Sequence, residues 1–475
     1  MSVTISRSTC LLALSLSLAG CNLAPKYVRP ASPVPEAAPT GPAYAPAAAG
    51  AIIPAETTWR DFFVDPRLQR VIDTALTNNR NLRIAIANIE QARAQFRGRQ
   101  ADLFPTLNAN AGGTFQKSPF QQFGGAGGGS PAGRIDIYTA SVGVSAWEID
   151  LFGRVRNLSE AAQEQYFASI ENRNAAQTTL IAETATAWLS MAADQERLRI
   201  SRELEKLFGE TLALTRARFD KGIASELEVR QAQTSYDQAR SDIAQATTLV
   251  AQDQNALNLL AGTTVPAADL PGAMPEGDVT LANLPSDLPS DPLLRRPDIA
   301  AAEHQLRAAN ANIGAARAAF FPRISLTATL GTLSTALSGL FSSGSDTWSV
   351  APSGVLPIFD FGRNSANLRG TRAQYDGLLA TYERTIQTGF REVADALARR
   401  GTMGAQVEAQ TSLRDSTRVS YRLAEARFRA GIDPFLTTLD SQRALYTAEQ
   451  SLLATRLTRA ANMVELYRAM GGGLR

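Results

Sequence analysis

The sequence predicts a mainly α-helical chain that also carries short membrane-spanning strands, with one structural unit used twice. Three observations predict it. The phrase ARFDKGIASELEVRQAQ at 217–233 returns as ARFRAGIDPFLTTLDSQ at 426–442, an offset of 426 − 217 = 209. Two other marks repeat with it: Leu103-Phe104-Pro105-Thr106-Leu107 with Phe320-Phe321-Pro322-Arg323-Ile324, and Leu151-Phe152-Gly153-Arg154 with Asp360-Phe361-Gly362-Arg363. The distance from the Phe-Gly-Arg mark to the Ala-Arg-Phe mark is 219 − 152 = 67 in the first copy and 428 − 361 = 67 in the second, which implies duplication around a rigid element.

The N-terminus sets the compartment. Arg7, the apolar run LLALSLSLA and the ending Leu18-Ala19-Gly20-Cys21 make a secretory signal over 1–20, too short to span a bilayer. The small residues before Cys21 resemble a bacterial lipobox, so Cys21 is the expected attachment point for acyl chains such as palmitate. Asn22 follows it in place of the aspartate that resembles an inner-membrane retention signal, which favours the outer membrane. Cys10 leaves with the signal, so no disulfide is expected in the mature chain. Residues 21–60, rich in Pro and Ala, read as an extended lipidated leader.

The first repeat is expected over 61–265. From Val155 to Val265 there is no proline, and glycine occurs only at 209, 222 and 262. Ala, Gln, Glu, Arg and Leu dominate, so this segment and its counterpart from about 363 read as helix. A helix of 67 residues would run about 100 Å at roughly 1.5 Å per residue, which implies a coiled coil or a helical barrel. Gly222 and Gly431 are the natural turning points, placing hairpin tips near 220–225 and 429–434. Residues 266–297 read as an inter-repeat linker and 298–475 as the second repeat.

Between each Phe-Pro mark and the next Phe-Gly-Arg mark the period changes to two. Tyr138, Ala140, Val142 and Val144 alternate with Thr139, Ser141, Gly143 and Ser145, and Ile324, Leu326, Ala328 and Leu330 alternate with small polar residues. Strands are expected at about 106–116, 135–147, 323–333 and 346–357, joined by exposed loops at Gln121–Pro131 and Leu340–Asp346. About ten residues is the length of a tilted membrane-spanning strand. Four strands cannot close such a barrel, because closed ones start at about eight, and open edges are not viable in lipid. Oligomerisation follows, a dimer giving eight strands and a trimer twelve.

Several function classes are excluded. Lys+Arg 47 against Asp+Glu 45 gives a net charge of +2, without the basic field of a nucleic-acid binder. The only histidine, His304, has no acidic or Cys partner at ligand spacing and reads as a packing or surface residue. Asp360-Phe361-Gly362 spells a kinase metal motif, but no phosphate loop or catalytic-loop signature accompanies it, and GGAGGGS lacks the Gly-Lys-Ser/Thr ending of a nucleotide loop. No enzyme, cofactor or metal is expected.

The chain resembles the outer membrane factors, in particular efflux lipoproteins of the TolC/OprM/NodT type. The resemblance rests on the lipobox with Pro25-Lys26-Tyr27-Val28-Arg29-Pro30, Trp59 with Phe62-Phe63-Val64-Asp65-Pro66, Arg295-Arg296-Pro297-Asp298-Ile299 followed by Glu303, and the repeated marks. It implies a homotrimer whose 12-stranded β-barrel in the outer membrane continues into a periplasmic α-helical barrel. It also implies a periplasmic adaptor and an inner-membrane pump, usually of the resistance-nodulation-division type, meeting the tips around Gly222 and Gly431. Leu436 and Asp440 match the positions that constrict the periplasmic entrance. Three such leucines would make a hydrophobic constriction and three aspartates a ring favouring cations. The first copy has Leu227 and Gln231 there, so the charge is not duplicated. Arg218 and Arg427 are candidate links holding that gate shut. The competing class is a lipid-anchored periplasmic scaffold or adaptor with no pore of its own.

Overall fold

The structure, a computed structural model, describes residues 22–35, 39–44, 57–117, 134–274, 280 and 294–472. Cys21, the expected loop Gln121–Pro131 and most of the expected linker lie outside the described residues. The element order is α1 (Trp59–Phe62), α2 (Pro66–Asn78), α3 (Arg80–Ala101), β1 (Leu107–Lys117), β2 (Arg134–Ile149), α4 (Arg154–Asp220), α5 (Glu226–Ala261), α6 (Pro297–Ala318), β3 (Arg323–Ser334), β4 (Asp346–Val355), α7 (Arg363–Arg429) and α8 (Phe435–Ala469). Both α4 and α7 are 67 residues long.

The chain divides into two compact units. One comprises the described residues of Met1–Pro30, Glu90–Ala168 and Ala302–Thr381, and the other those of Ala31–Ile89, Ser169–Ala301 and Tyr382–Arg475.

The first unit holds a four-stranded antiparallel sheet in the order β1-β2-β3-β4. Paired residues share a face, so the register sorts the sheet into two surfaces. Ala109, Val142, Leu330 and Trp348 line up across one face, with Leu107, Val144, Ala328 and Val350 beside them. The opposite face carries Asn110, Ser141, Gly331 and Thr347, with Asn108, Gly143, Thr329 and Ser349. One device that the alternation did not predict keeps the apolar face continuous. Between Val144 and Trp147 the β2 register slips by one residue against β3, so that Trp147 faces Leu326 and Ile149 faces Ile324. Ala146 takes a left-handed φ of 49° at this bulge, and its N–H donates to Thr327 Oγ1 at 3.1 Å. Without the extra residue, Glu148 would fall on the apolar face.

The second unit is held by a helical core. Trp188, Ile181 and Leu189 of α4 cluster with Phe62, Phe63, Leu68, Ile72, Leu257, Leu466 and Tyr467. Phe62 stacks on Tyr467 with ring centroids 4.2 Å apart. Asp65 caps α2 from the position before Pro66, its carboxylate accepting from the Arg67 N–H at 2.8 Å, as a Pro at the first helical position favours.

Candidate functional site: the hairpin tips and the two-faced sheet

Each long hairpin turns through the same backbone arrangement. At the first tip Gly222 has φ 73°, its N–H donates to Phe219 O at 2.8 Å, and Ile223 N–H donates to Arg218 O at 2.9 Å. At the second tip Gly431 has φ 73°, its N–H donates to Phe428 O at 3.0 Å, and Ile432 N–H donates to Arg427 O at 2.9 Å. A left-handed residue is what allows the carbonyls at the end of a helix to be satisfied in this way, and glycine adopts it without strain. The return helices start differently. Ser225 and Glu228 form a reciprocal capping box on α5, whereas α8 starts from Pro434 without a side-chain cap.

The tip side chains diverge further. Phe428 is buried with Phe435, Leu439, Leu212 and Ala232, while its counterpart Phe219 is exposed. Arg218 reaches from α4 to the other hairpin. Its Nη1 donates to Phe428 O at 3.0 Å, and the guanidinium sits 4.6 Å from the centroid of the Phe428 ring. Arg427 stays within its own turn, donating through Nε and Nη2 to Asp433 at 2.6 and 2.8 Å. That bond, with the attraction between the charges, raises the Arg427 pKa; the same bond lowers that of Asp433. Of the two arginines expected to link hairpins, the structure therefore brings only Arg218 to the other one.

Leu436 is 55% exposed and Asp440 is exposed beside it, one turn further along α8. Phe435, Thr438 and Leu439 take the buried positions of that turn, so Leu436 does not serve as packing between the hairpins of its own chain. Ile223, Leu227 and Ile432 are exposed as well, giving both tips aliphatic surfaces.

Sequence reasoning missed the polar links above the tips. Tyr446 of α8 donates to Asp242 of α5, and burial together with that carboxylate raises the Tyr446 pKa. Buried Gln442 donates to Thr211 Oγ1 at 3.2 Å. A signal existed for the latter, because Gln442 and Gln233 occupy the same place in the repeated phrase. Gln233, however, accepts from Arg216 at 2.5 Å and donates to Asp237, so the matching residue does a different job.

His304 packs at the surface as expected, with a partner that sequence spacing did not reveal. Its Nδ1 lies 2.6 Å from Glu164 Oε2, an acidic partner too distant in sequence to be seen by spacing, and its ring lies 5.5 Å from that of Phe167. Nearby, residues 22–30 lie along α6. Arg29 donates to both Glu303 oxygens at 3.2 and 2.5 Å, Asn310 donates to Pro25 O at 2.8 Å, and Arg317 donates to Leu23 O at 3.2 Å. Burial pushes the Glu303 pKa up, but the bonds from Arg29 and Arg307 outweigh it and hold the carboxyl below its usual range. No group of three or more His, Cys, Asp or Glu able to hold a metal occurs among the described residues.

A family model described as "Outer membrane efflux protein" matches residues 71–263 and 288–472, one stretch for each repeat. The chain belongs to this family. Its relatives include the "Probable efflux pump outer membrane protein TtgC" of Pseudomonas putida, 47% identical over 458 residues, covering 96% of this chain and 93% of the relative. "Outer membrane protein OprJ" of Pseudomonas aeruginosa is 42% identical over 468 residues, covering 97% and 95%. Among solved structures, the open state of the MtrE outer membrane channel of Neisseria gonorrhoeae has a TM-score of 0.85 at 38% identity, covering 96% of this chain and 99% of that one. The expectation drawn from the family resemblance is met: this is an outer-membrane efflux channel, located in the outer membrane and extending into the periplasm. The fold is the mostly helical one of the outer-membrane channels, and the family is one of transport channels.

Proposed function

We propose that three copies of this chain form a passive exit duct, twelve strands closing a barrel in the outer membrane above a helical barrel in the periplasm. The observation that carries this reading is the two-faced sheet: four strands with one apolar and one polar surface, and two edges without a partner strand among the described residues. Unpaired strand edges are not viable in hydrocarbon, and four strands enclose nothing, so neighbouring copies must supply the rest. The apolar surface then meets lipid and the Asn, Ser and Thr surface lines water. Acyl chains on Cys21 add an anchor that residues 22–30 tie to α6.

An inner-membrane pump, of the resistance-nodulation-division type, and a periplasmic adaptor deliver the substrate. The adaptor meets the aliphatic tips around Gly222 and Gly431. The relatives' names as efflux pump components support these partners. Leu436 and Asp440 form the periplasmic constriction, and Arg218 holds the hairpins together until the tips move apart. The exposed pairing of Leu436 with Asp440 on one helix face supports that assignment. The chain performs no covalent step; it opens and closes a path.

Planar-bilayer conductance tests the proposal. The intact protein should conduct poorly, and Leu436→Ala with Asp440→Ala should raise conductance several-fold. Absence of conductance in both proteins would count against the duct.

A further inference from the structure

Between the return helices α5 and α8, above the tips, the second unit holds a cleft of about 390 Å³. Small-molecule sites span about 300–1,000 Å³, so this one has the size for a ligand. Its floor is apolar: Phe208 of α4 and Ala239 of α5 line it and are buried. Its rim is polar and exposed, with Thr234 and Gln238 from α5 and Arg443 and Thr447 from α8. The duplication brings equivalent places together here, since 443 − 234 = 209 and 447 − 238 = 209. Of these four rim residues only Arg443 is charged.

The polar groups around the cleft are not equally committed. Asp242, which also lines it, accepts from the Tyr446 hydroxyl and from Gln238 Nε2 at 2.9 Å. The Thr234 and Thr447 hydroxyls donate within their own helices, to Arg230 O at 2.9 Å and Arg443 O at 3.0 Å. The Arg443 guanidinium, by contrast, has no ion pair and no hydrogen bond among the described residues, and the same holds for the hydroxyl of Ser235 in the cleft wall. The negative charge of the cleft is therefore already met, and its positive charge is not.

We propose that this cleft binds a small organic anion, its carboxylate on Arg443 and its apolar body against Phe208 and Ala239. A guanidinium presents a planar fork that can take a carboxylate through two parallel hydrogen bonds, and an aromatic body suits the Phe208 ring. A cationic ligand has no such opening, because Asp242 already takes two donors. The position gives the site a use. Arg443 and Thr447 follow Asp440 by three and seven residues on α8, so they share its helix face. With Asp440 at the constriction, the cleft opens onto the conducting path just beyond it, where an anion in transit would lodge. This use rests on the duct proposed above and adds a class of cargo to it.

Equilibrium dialysis of 2-naphthoate against the full-length protein in lipid nanodiscs should show one saturable site per chain. 2-Naphthamide, the same ring system without the charge, should bind several-fold more weakly. Arg443→Gln should weaken 2-naphthoate about tenfold or more and leave 2-naphthamide unchanged. Arg443→Lys keeps the charge without the fork and should recover part of the loss. Thr234→Trp, which fills the cleft from its exposed rim, should abolish binding of both compounds, and none of these changes should move the melting temperature. Equal binding of the two compounds, or 2-naphthoate binding indifferent to Arg443, would overturn the site and show partition into lipid or an apolar groove only. Planar-bilayer conductance keeps this test apart from that of the duct. A protein that conducts but has no saturable 2-naphthoate site overturns the cleft alone. Arg443-dependent binding by a protein that never conducts overturns the duct, and with it the cargo role, but leaves the anion site standing.

Discussion

The helical ends of the two repeats make one contact with two different side chains. In the first repeat Asn79, just before α3, donates through Nδ2 to Leu260 O at 2.8 Å, near the end of α5. In the second, Arg296, just before α6, donates through Nη1 to Ala469 O at 2.7 Å, at the end of α8. These places correspond, since 296 − 79 = 217 and 469 − 260 = 209, and left-handed Gly262 and Gly471 follow the two acceptors. Asn79 also caps its helix, accepting from Leu82 N–H at 3.0 Å. Arg296 brings a charge, which Asp298 at 2.7 Å and Glu392 at 2.9 Å balance. What duplication preserved is the backbone carbonyl that needs a donor; the donor was free to change, provided its own charge was met.

That comparison orders the expected losses. Arg296 is 4% exposed, and Arg296→Met would strand the Ala469 carbonyl and leave Glu392 with Arg468 alone. Breaking a buried ion pair from one side costs about 3–5 kcal/mol. Asn79→Ala removes a cap and one neutral hydrogen bond, for which about 1–2 kcal/mol is expected. Denaturant unfolding of the helical unit checks both. Equal losses would mean that the charge network adds nothing to the shared contact.

The duplication, the long helices and the alternation of the strands were legible in the sequence because each is a periodic or repeated signal. Arg296 could be singled out in its Arg-Arg-Pro-Asp-Ile run, but its partners Glu392 and Ala469 come from distant turns of other helices, where sequence spacing carries no distance information. The bulge at Ala146 left only a partial mark: in Val-Ser-Ala-Trp-Glu two apolar residues adjoin and the alternation breaks, but only the partner strand shows that the break is one extra residue and not the end of the strand. At the tips, glycine marked both turns, yet the same Arg-Phe dipeptide led to an inter-hairpin bond at Arg218 and a local one at Arg427. Asp433, which captures Arg427, has Ala224 as its counterpart.

A pH dependence separates the two hairpins further. Asp253 of α5 has its pKa raised to about 6, first by burial and then by the charge of Asp194 and a hydrogen bond with it, with Arg197 partly offsetting. The corresponding place in α8, 253 + 209 = 462, holds neutral Asn462, which donates to Ala396 O at 2.9 Å. Between the ordinary aspartate value of 3.8 and about 6 the folded chain holds more protons at Asp253 than the unfolded one. Stability therefore falls as pH rises through that window. Because the group is partly solvated, the effect is about 1 kcal/mol at most. Asp253→Asn, copying the second hairpin, should abolish this part of the dependence in melting curves taken across that window, from about pH 4 to pH 7. An unchanged profile would assign the shift elsewhere.

The smallest stability effect is expected at the tips, where the two arginines make the sharpest contrast. Arg427 is exposed and its partner Asp433 lies at the surface, half-buried, so Arg427→Met should leave stability nearly unchanged and conductance likewise. Arg218→Met is equally mild for folding, since Phe428 keeps its packing against Phe435 at 5.5 Å. Its consequence is directional: it removes the hydrogen bond and the cation–π contact that tie α4 to the end of α7. If hairpin separation opens the entrance, losing that tie must favour the separated state, and conductance should rise several-fold without a change in melting temperature. Arg218→Lys keeps the charge but lacks the planar fork that stacks on Phe428 while donating past it, so it should rescue only in part. Equal conductance for Arg218→Met and Arg427→Met would show that the inter-hairpin bond does not restrain the tips, and would leave the constriction to Leu436 and Asp440.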